Sequence, residues 1–115
     1  MIEPDARKEF QRFLERQRAE YVLALPPKLA EVESLWEAVA QGAPATDELA
    51  RLIRAAHSLA GSGAVFGLEE LSASARALEL MLQRLAESTQ GPRGNAAAAI
   101  GESIARLQSC APRVG

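Results

Sequence analysis

From residue 68 to residue 85 the chain places an apolar side chain at every third or fourth position: Leu68, Leu71, Ala75, Leu78, Leu82 and Leu85. At 100° per residue these positions fall on one seam of a helix. Such a seam is stable in water only when other elements cover it, and similar stripes elsewhere in the chain point to helices as the cover. No stretch reads convincingly as a strand.

Four further helical stretches can be read, separated by proline- and glycine-bearing breaks. The first runs from about Pro4–Asp5 to near Ala24, with Phe10, Leu14, Gln17 and Tyr21 along one side. Pro26-Pro27 then breaks the pattern. Because proline is tolerated in a first helical turn, a second helix is expected to start there, carrying Leu25, Leu29, Val32, Trp36 and Val39 and stopping at Gln41-Gly42-Ala43-Pro44. Thr46 is the expected N-cap of a third helix, with Asp47 and Glu48 complementing its dipole. Its stripe is Leu49, Leu52, Ala56 and Leu59, with Ile53 beside it, and Gly61, Gly63 and Gly67 loosen and then end it. The Leu68–Leu85 seam makes the fourth helix. After a loop over Gln90-Gly91-Pro92-Arg93-Gly94, Asn95 is the expected cap of a last helix with Ile100, Ile104 and Leu107 inward. Short connections between helices of similar length imply antiparallel neighbours. The expected fold is all-α, an antiparallel up-and-down four-helix bundle with an additional N-terminal helix, forming one domain over residues 1–115.

Composition narrows the function. Lys and Arg number 13 against 15 Asp and Glu, a formal net charge of −2. A nucleic-acid surface would need a clear basic excess, so none is expected. Aromatic residues make up only 4% of the chain and offer few rings for stacking bases or sugars. A single cysteine, Cys110, cannot form an internal disulfide. No apolar run approaches a membrane span, and the charged start does not suit a signal peptide. The expectation is a cytoplasmic protein without membrane contact.

One residue breaks the helical pattern. His57, the only histidine, lies about a quarter-turn off the centre of the third helix's apolar stripe, on the shoulder between core and solvent. Ala50, Arg54, Gly61 and Ala64 share that shoulder. A glycine in a helix interior costs about 1 kcal/mol relative to alanine. At Gly61 the missing side chain would clear room above the imidazole for a large partner. A metal site is not expected, since no second histidine or ligand spacing accompanies His57. Nor is a hydrolase triad, because His57 and Ser58 point to different sides and no nucleophile-elbow turn exists. Gly61-Ser62-Gly63 lacks the lysine and preceding strand of a phosphate-cradling loop. Residue geometry alone leaves two readings open: a working imidazole, or an ordinary surface histidine.

The run Ala56-His57-Ser58-Leu59-Ala60-Gly61-Ser62-Gly63-Ala64-Val65-Phe66-Gly67-Leu68, continued by Ala75-Arg76-Ala77-Leu78-Glu79, resembles the signature of histidine-containing phosphotransfer (HPt) domains. In that family a histidine is followed by leucine at the second position, lysine at the third and glycine at the fourth. Small residues and a Phe-Gly pair come next, then a Leu-Glu pair in the following helix. Leu25-Pro26-Pro27 also looks like the family's pattern, and the resemblance spans about residues 10 to 110.

The resemblance implies that His57 accepts a phosphoryl group and passes it between receiver-domain aspartates in a two-component phosphorelay. Imidazole suits this role because its ordinary pKa, about 6.5, leaves the neutral nucleophile abundant near neutral pH. Mg²⁺ and most catalytic groups would come from the partner's receiver domain, with no cofactor of the chain's own and no autokinase activity. The implied partners are a response-regulator receiver domain, a hybrid histidine kinase, or both, and the expected state is a monomer. Gly61 matches the family glycine. Ala60 stands where the family has lysine, thought to neutralise the phosphoryl group, and Arg54 is either a compensating cation or a solvated arginine. Docking is expected through Ala50, Ile53, Gly61, Ala64, Leu68 and Leu71. Two alternatives are a pseudo-HPt module, which binds partners without carrying phosphate because Ala60 replaces the lysine, and a helical scaffold in which His57 has no task.

Overall fold

A computed structural model describes residues 4–41, 46–88 and 94–112. Among these are four helices and no strand: α1 (Pro4–Ala40), α2 (Thr46–Val65), α3 (Glu69–Glu87) and α4 (Gly94–Ser109). Each helix packs on its neighbours in a closed ring, α1 on α2, α2 on α3, α3 on α4 and α4 back on α1. Cross-helix pairs show the directions. Glu31 meets Arg51, Tyr21 meets Ser62, and Arg18 meets Phe66, so α2 numbers rise as α1 numbers fall. The pairs His57–Glu79 and Ala60–Ser72 run in the same antiparallel sense between α2 and α3. The arrangement is an up-and-down four-helix bundle.

The expected break at Pro26-Pro27 is absent, and the two expected N-terminal helices are one, α1, with both prolines inside it. Proline removes a backbone donor and crowds the carbonyl four residues back. Both rings are on the exposed side, while Tyr21, Leu25, Leu29 and Val32 are buried before and after them. Carbonyls freed on the wet side can be solvated by water, and the core holds the chain in line across the weak point. The five-helix expectation is therefore corrected to four.

At 37 residues, α1 is about 55 Å long by helical rise, which accounts for the 59 Å long axis of the molecule. It outruns the bundle at its N-terminal end. Residues 5–20 are exposed apart from half-buried Gln17, and Phe10 and Leu14 of the expected stripe are 61% and 47% exposed. The bundle begins where Arg18 Nε donates to the Phe66 carbonyl at 3.2 Å and the Tyr21 ring stacks on Phe66 at 4.7 Å.

The core draws on every helix: Leu25, Val32, Leu52, Leu71, Leu78, Leu82 and Leu107 are the largest side chains fully withdrawn from water. Each contributes about 1.5–3 kcal/mol by burial. The helix α2 runs through Gly61 and Gly63 without loosening and stops at Gly67. There the Leu68 amide donates to the Gly63 carbonyl (2.8 Å) and the Gly67 amide to that of Ala64 (3.2 Å), while Gly67 takes φ +72°. This is a Schellman stop, and only glycine adopts its left-handed turn without strain. Gly63 has a different task, since an added Cβ would lie 3.3 Å from the Ser72 backbone nitrogen. Its absence lets α2 and α3 approach closely, and Ser72 Oγ donates to the Ala60 carbonyl across the gap at 2.6 Å. Asn95 lies inside α4, one residue after its start at Gly94, and so is not its cap. The Thr46 side chain lies outside the described residues, although α2 begins at that position.

Candidate functional site

Ala56 and Leu59 turn α2 toward the core, which leaves His57 on the shoulder facing α3. Its side chain is 77% exposed. On α3, fully buried Leu78 holds the adjacent Glu79 on the shoulder facing α2, where its side chain is only 14% exposed. The two shoulders meet, with His57 Nδ1 and Glu79 Oε2 2.8 Å apart.

A carboxylate only accepts, so the proton of this bond sits on Nδ1 of the neutral ring. That fixes the tautomer and leaves the lone pair on Nε2. Among the described residues Nε2 has no hydrogen-bond partner, and the open ring faces solvent. Gln83 Nε2 donates to the same Glu79 oxygen from 3.4 Å, a long contact that also holds the carboxylate in place. The ring is thus oriented on one nitrogen and open on the other, as a nucleophile requires.

Gly61 lies one turn beyond His57 and is exposed; a Cβ built there meets nothing within 4 Å. Ala50, Arg54 and Ala64 are exposed on the same side and Ile53 is half-buried. Two expected docking residues are corrected. Leu68 and Leu71, at 7% and 1% exposure, belong to the core and offer a partner little or no surface. Both sit on the inward seam of α3's apolar run, and that burial takes precedence over their nearness in sequence to the turn. Ala60 is also withdrawn, 3% exposed at the α2–α3 contact, and brings no charge to the imidazole.

The residue that sequence reasoning passed over is Glu79. It was legible as half of the Leu78-Glu79 pair, but no role followed without the register between α2 and α3. Tyr21 was read only as part of a stripe. Its hydroxyl is 2.6 Å from Ser62 Oγ, which donates to the Ser58 carbonyl at 2.7 Å and so ties α1 to the turn that carries His57.

A four-helix bundle that holds a single imidazole out from its wall, braced by a carboxylate on the next helix, is a histidine-presenting module. The chain belongs to the Hpt domain family, whose model matches residues 9–110. Members of that family are phosphocarrier modules rather than enzymes, and they work with receiver domains and histidine kinases in phosphorelays. Searches of curated proteins and of solved structures returned no match. Among the described residues, no helix is long and apolar enough to cross a membrane.

Proposed function

We propose that this chain is an active phosphoryl carrier, with His57 as its acceptor, working between receiver-domain aspartates. The observation that carries the reading is the asymmetry of the ring: Nδ1 is committed to Glu79 and Nε2 is open. In the forward step the Nε2 lone pair attacks phosphorus in the partner's aspartyl phosphate. The N–P bond forms, the P–O bond to the aspartyl carboxylate breaks, and that carboxylate leaves with the electron pair. The Nδ1 proton stays where it is. As the ring gains positive character, its bond to the Glu79 carboxylate strengthens, so Glu79 both orients and stabilises. The reverse step regenerates the neutral imidazole.

Phosphoryl transfer runs through a loose, in-line transition state whose charge is stabilised by metal ions and cationic groups. In this reading the partner's receiver supplies Mg²⁺. This chain supplies a rigid helix, a fixed tautomer and small neighbours at Ala50, Gly61 and Ala64 that let the partner's site close over the ring. No autokinase step is included, and the chain acts as one domain and as a monomer. Contact with each partner is transient, with a modest buried area.

The test is to incubate the full chain with phosphorylated receiver domains and Mg²⁺ and look for acid-labile label on it. Label is expected. In the same assay Glu79→Ala should slow its appearance by about 10- to 100-fold, the size of effect known for metal-bound histidines that lose the partner orienting them, and Glu79→Gln, which retains an acceptor, by less. Binding without label from any receiver would replace this reading with that of a docking module. Glu79→Ala running at the parent rate would remove the tautomer argument.

A further inference from the structure

A dianionic phosphoryl group on His57 needs a cation, and the geometry points to Arg76; this inference rests on the phosphocarrier reading above. We infer that Arg76 is the residue of this chain that contacts the phosphoryl oxygens during transfer and in phospho-His57.

The argument starts from the side on which the ring is open. Gly61 leaves free space one turn beyond His57 toward the C-terminal end of α2, so a partner closes over the ring from that side. One turn beyond Gly61, Ala64 of α2 and side chains of α3 from Glu69 to Leu80, Arg76 among them, line a shallow concavity of about 540 Å³ that does not itself include His57 or Gly61. Among the described residues, no other cation lines it. Arg76 lies one turn before Glu79 on α3, about 5 Å along the helix axis, a span that an extended arginine covers. Among the described residues its guanidinium has no ion pair or hydrogen bond. Of the nearby carboxylates, Glu79 is engaged with the imidazole, and Glu69 lines the far part of the same concavity two turns away.

Arg54 is the competing cation. It is exposed on α2 one turn before His57, on the opposite side of the ring from the Gly61 opening, so the same approach leaves it at the rim. Arg76, in contrast, lies on the neighbouring helix between Ser72 and Glu79, whose partners on α2 are Ala60 and His57, which puts it on the Gly61 side of the ring. A planar guanidinium offers two parallel donors to two phosphoryl oxygens, which suits a group whose charge spreads over three oxygens as the P–O bond breaks. Arg76 exchanges no proton in the step; it holds the oxygens while phosphorus moves from the aspartyl oxygen to Nε2.

The experiment uses the full chain, the receiver domain that labels it, and the variants Arg76→Ala, Arg76→Gln, Arg76→Lys and Arg54→Ala. Circular dichroism and melting curves establish that each folds. At saturating receiver, Arg76→Ala and Arg76→Gln are expected to lower the transfer rate at least tenfold, Arg76→Lys to recover part of it, and Arg54→Ala to stay within about twofold of the parent. The ³¹P resonance of phospho-His57 should move in Arg76→Gln and not in Arg54→Ala, which a purely structural role for Arg76 would not produce. Unchanged rate and resonance in the Arg76 variants would overturn the assignment and leave the phosphocarrier reading standing. So would a loss confined to receiver affinity, which would make Arg76 a docking residue only, or an equal loss in Arg54→Ala. A parent chain that takes no label from any receiver would remove both.

Discussion

Gly61→Leu is expected to leave the bundle intact and to abolish phosphoryl transfer, cutting the labelling rate by at least two orders of magnitude. The position is exposed and a Cβ there meets nothing, so the new side chain has room within the chain itself. Replacing a mid-helix glycine should even add about 1 kcal/mol of stability. The same leucine stands one turn beyond the imidazole, on the side from which the partner is proposed to close over Nε2, and a displacement of about 1 Å can cost 10²-fold in rate. His57→Gln gives the reference for complete loss, since the amide keeps the helix but has no nucleophilic nitrogen. Gly61→Ala separates the two effects: it should match the stability gain and retain part of the transfer. Melting curves and label uptake measured on the three variants decide the matter, and parent-like uptake in Gly61→Leu would show that the partner does not close over this side of the ring.

Leu78→Ala should have the largest effect on the fold. Leu78 is fully buried at the centre of the α3 seam, and truncating such a leucine costs about 2–5 kcal/mol. Against a total stability of about 5–15 kcal/mol for a domain, that loss would be evident as an earlier denaturant midpoint. It should also reach the site, because Leu78 seats the turn of α3 that presents Glu79 to His57. Transfer measured well below the new midpoint should therefore fall as well. A loss under 1 kcal/mol would mean that the seam is not packed as described.

The helical class and most inward-facing residues were legible because hydrophobic spacing is a local signal. Each of Leu25, Val32, Leu52, Ala56, Leu78, Leu82, Ile100, Ile104 and Leu107 was read on a stripe and is buried. The Pro26-Pro27 misreading came from giving a local penalty the final word. Two prolines weaken a helix, but burial on both sides of them decides whether the chain continues straight, and burial is not a local property. The shoulder position of His57 was legible for the same reason as the seams. Its tie to Glu79, 22 residues away, was not, because it depends on how closely α2 and α3 approach. That approach is set by Gly63 against Ser72 and by the Gly67 stop, whose glycines were visible while their three-dimensional consequence was not. Leu68 and Leu71 show the opposite error, in which proximity along the chain was taken for surface.

The overhanging end of α1 has a consequence for how the molecule breathes. An isolated helix of that length is marginal in water, because it gains hydrogen bonds without the burial that normally sustains them. One unbroken helix is thus fastened to the core over its later turns and self-supporting over its earlier ones. Hydrogen exchange along α1 should show a step near Arg18–Tyr21, with fast amides before it and slow ones after. Uniform protection from end to end would mean that something covers the overhang in solution.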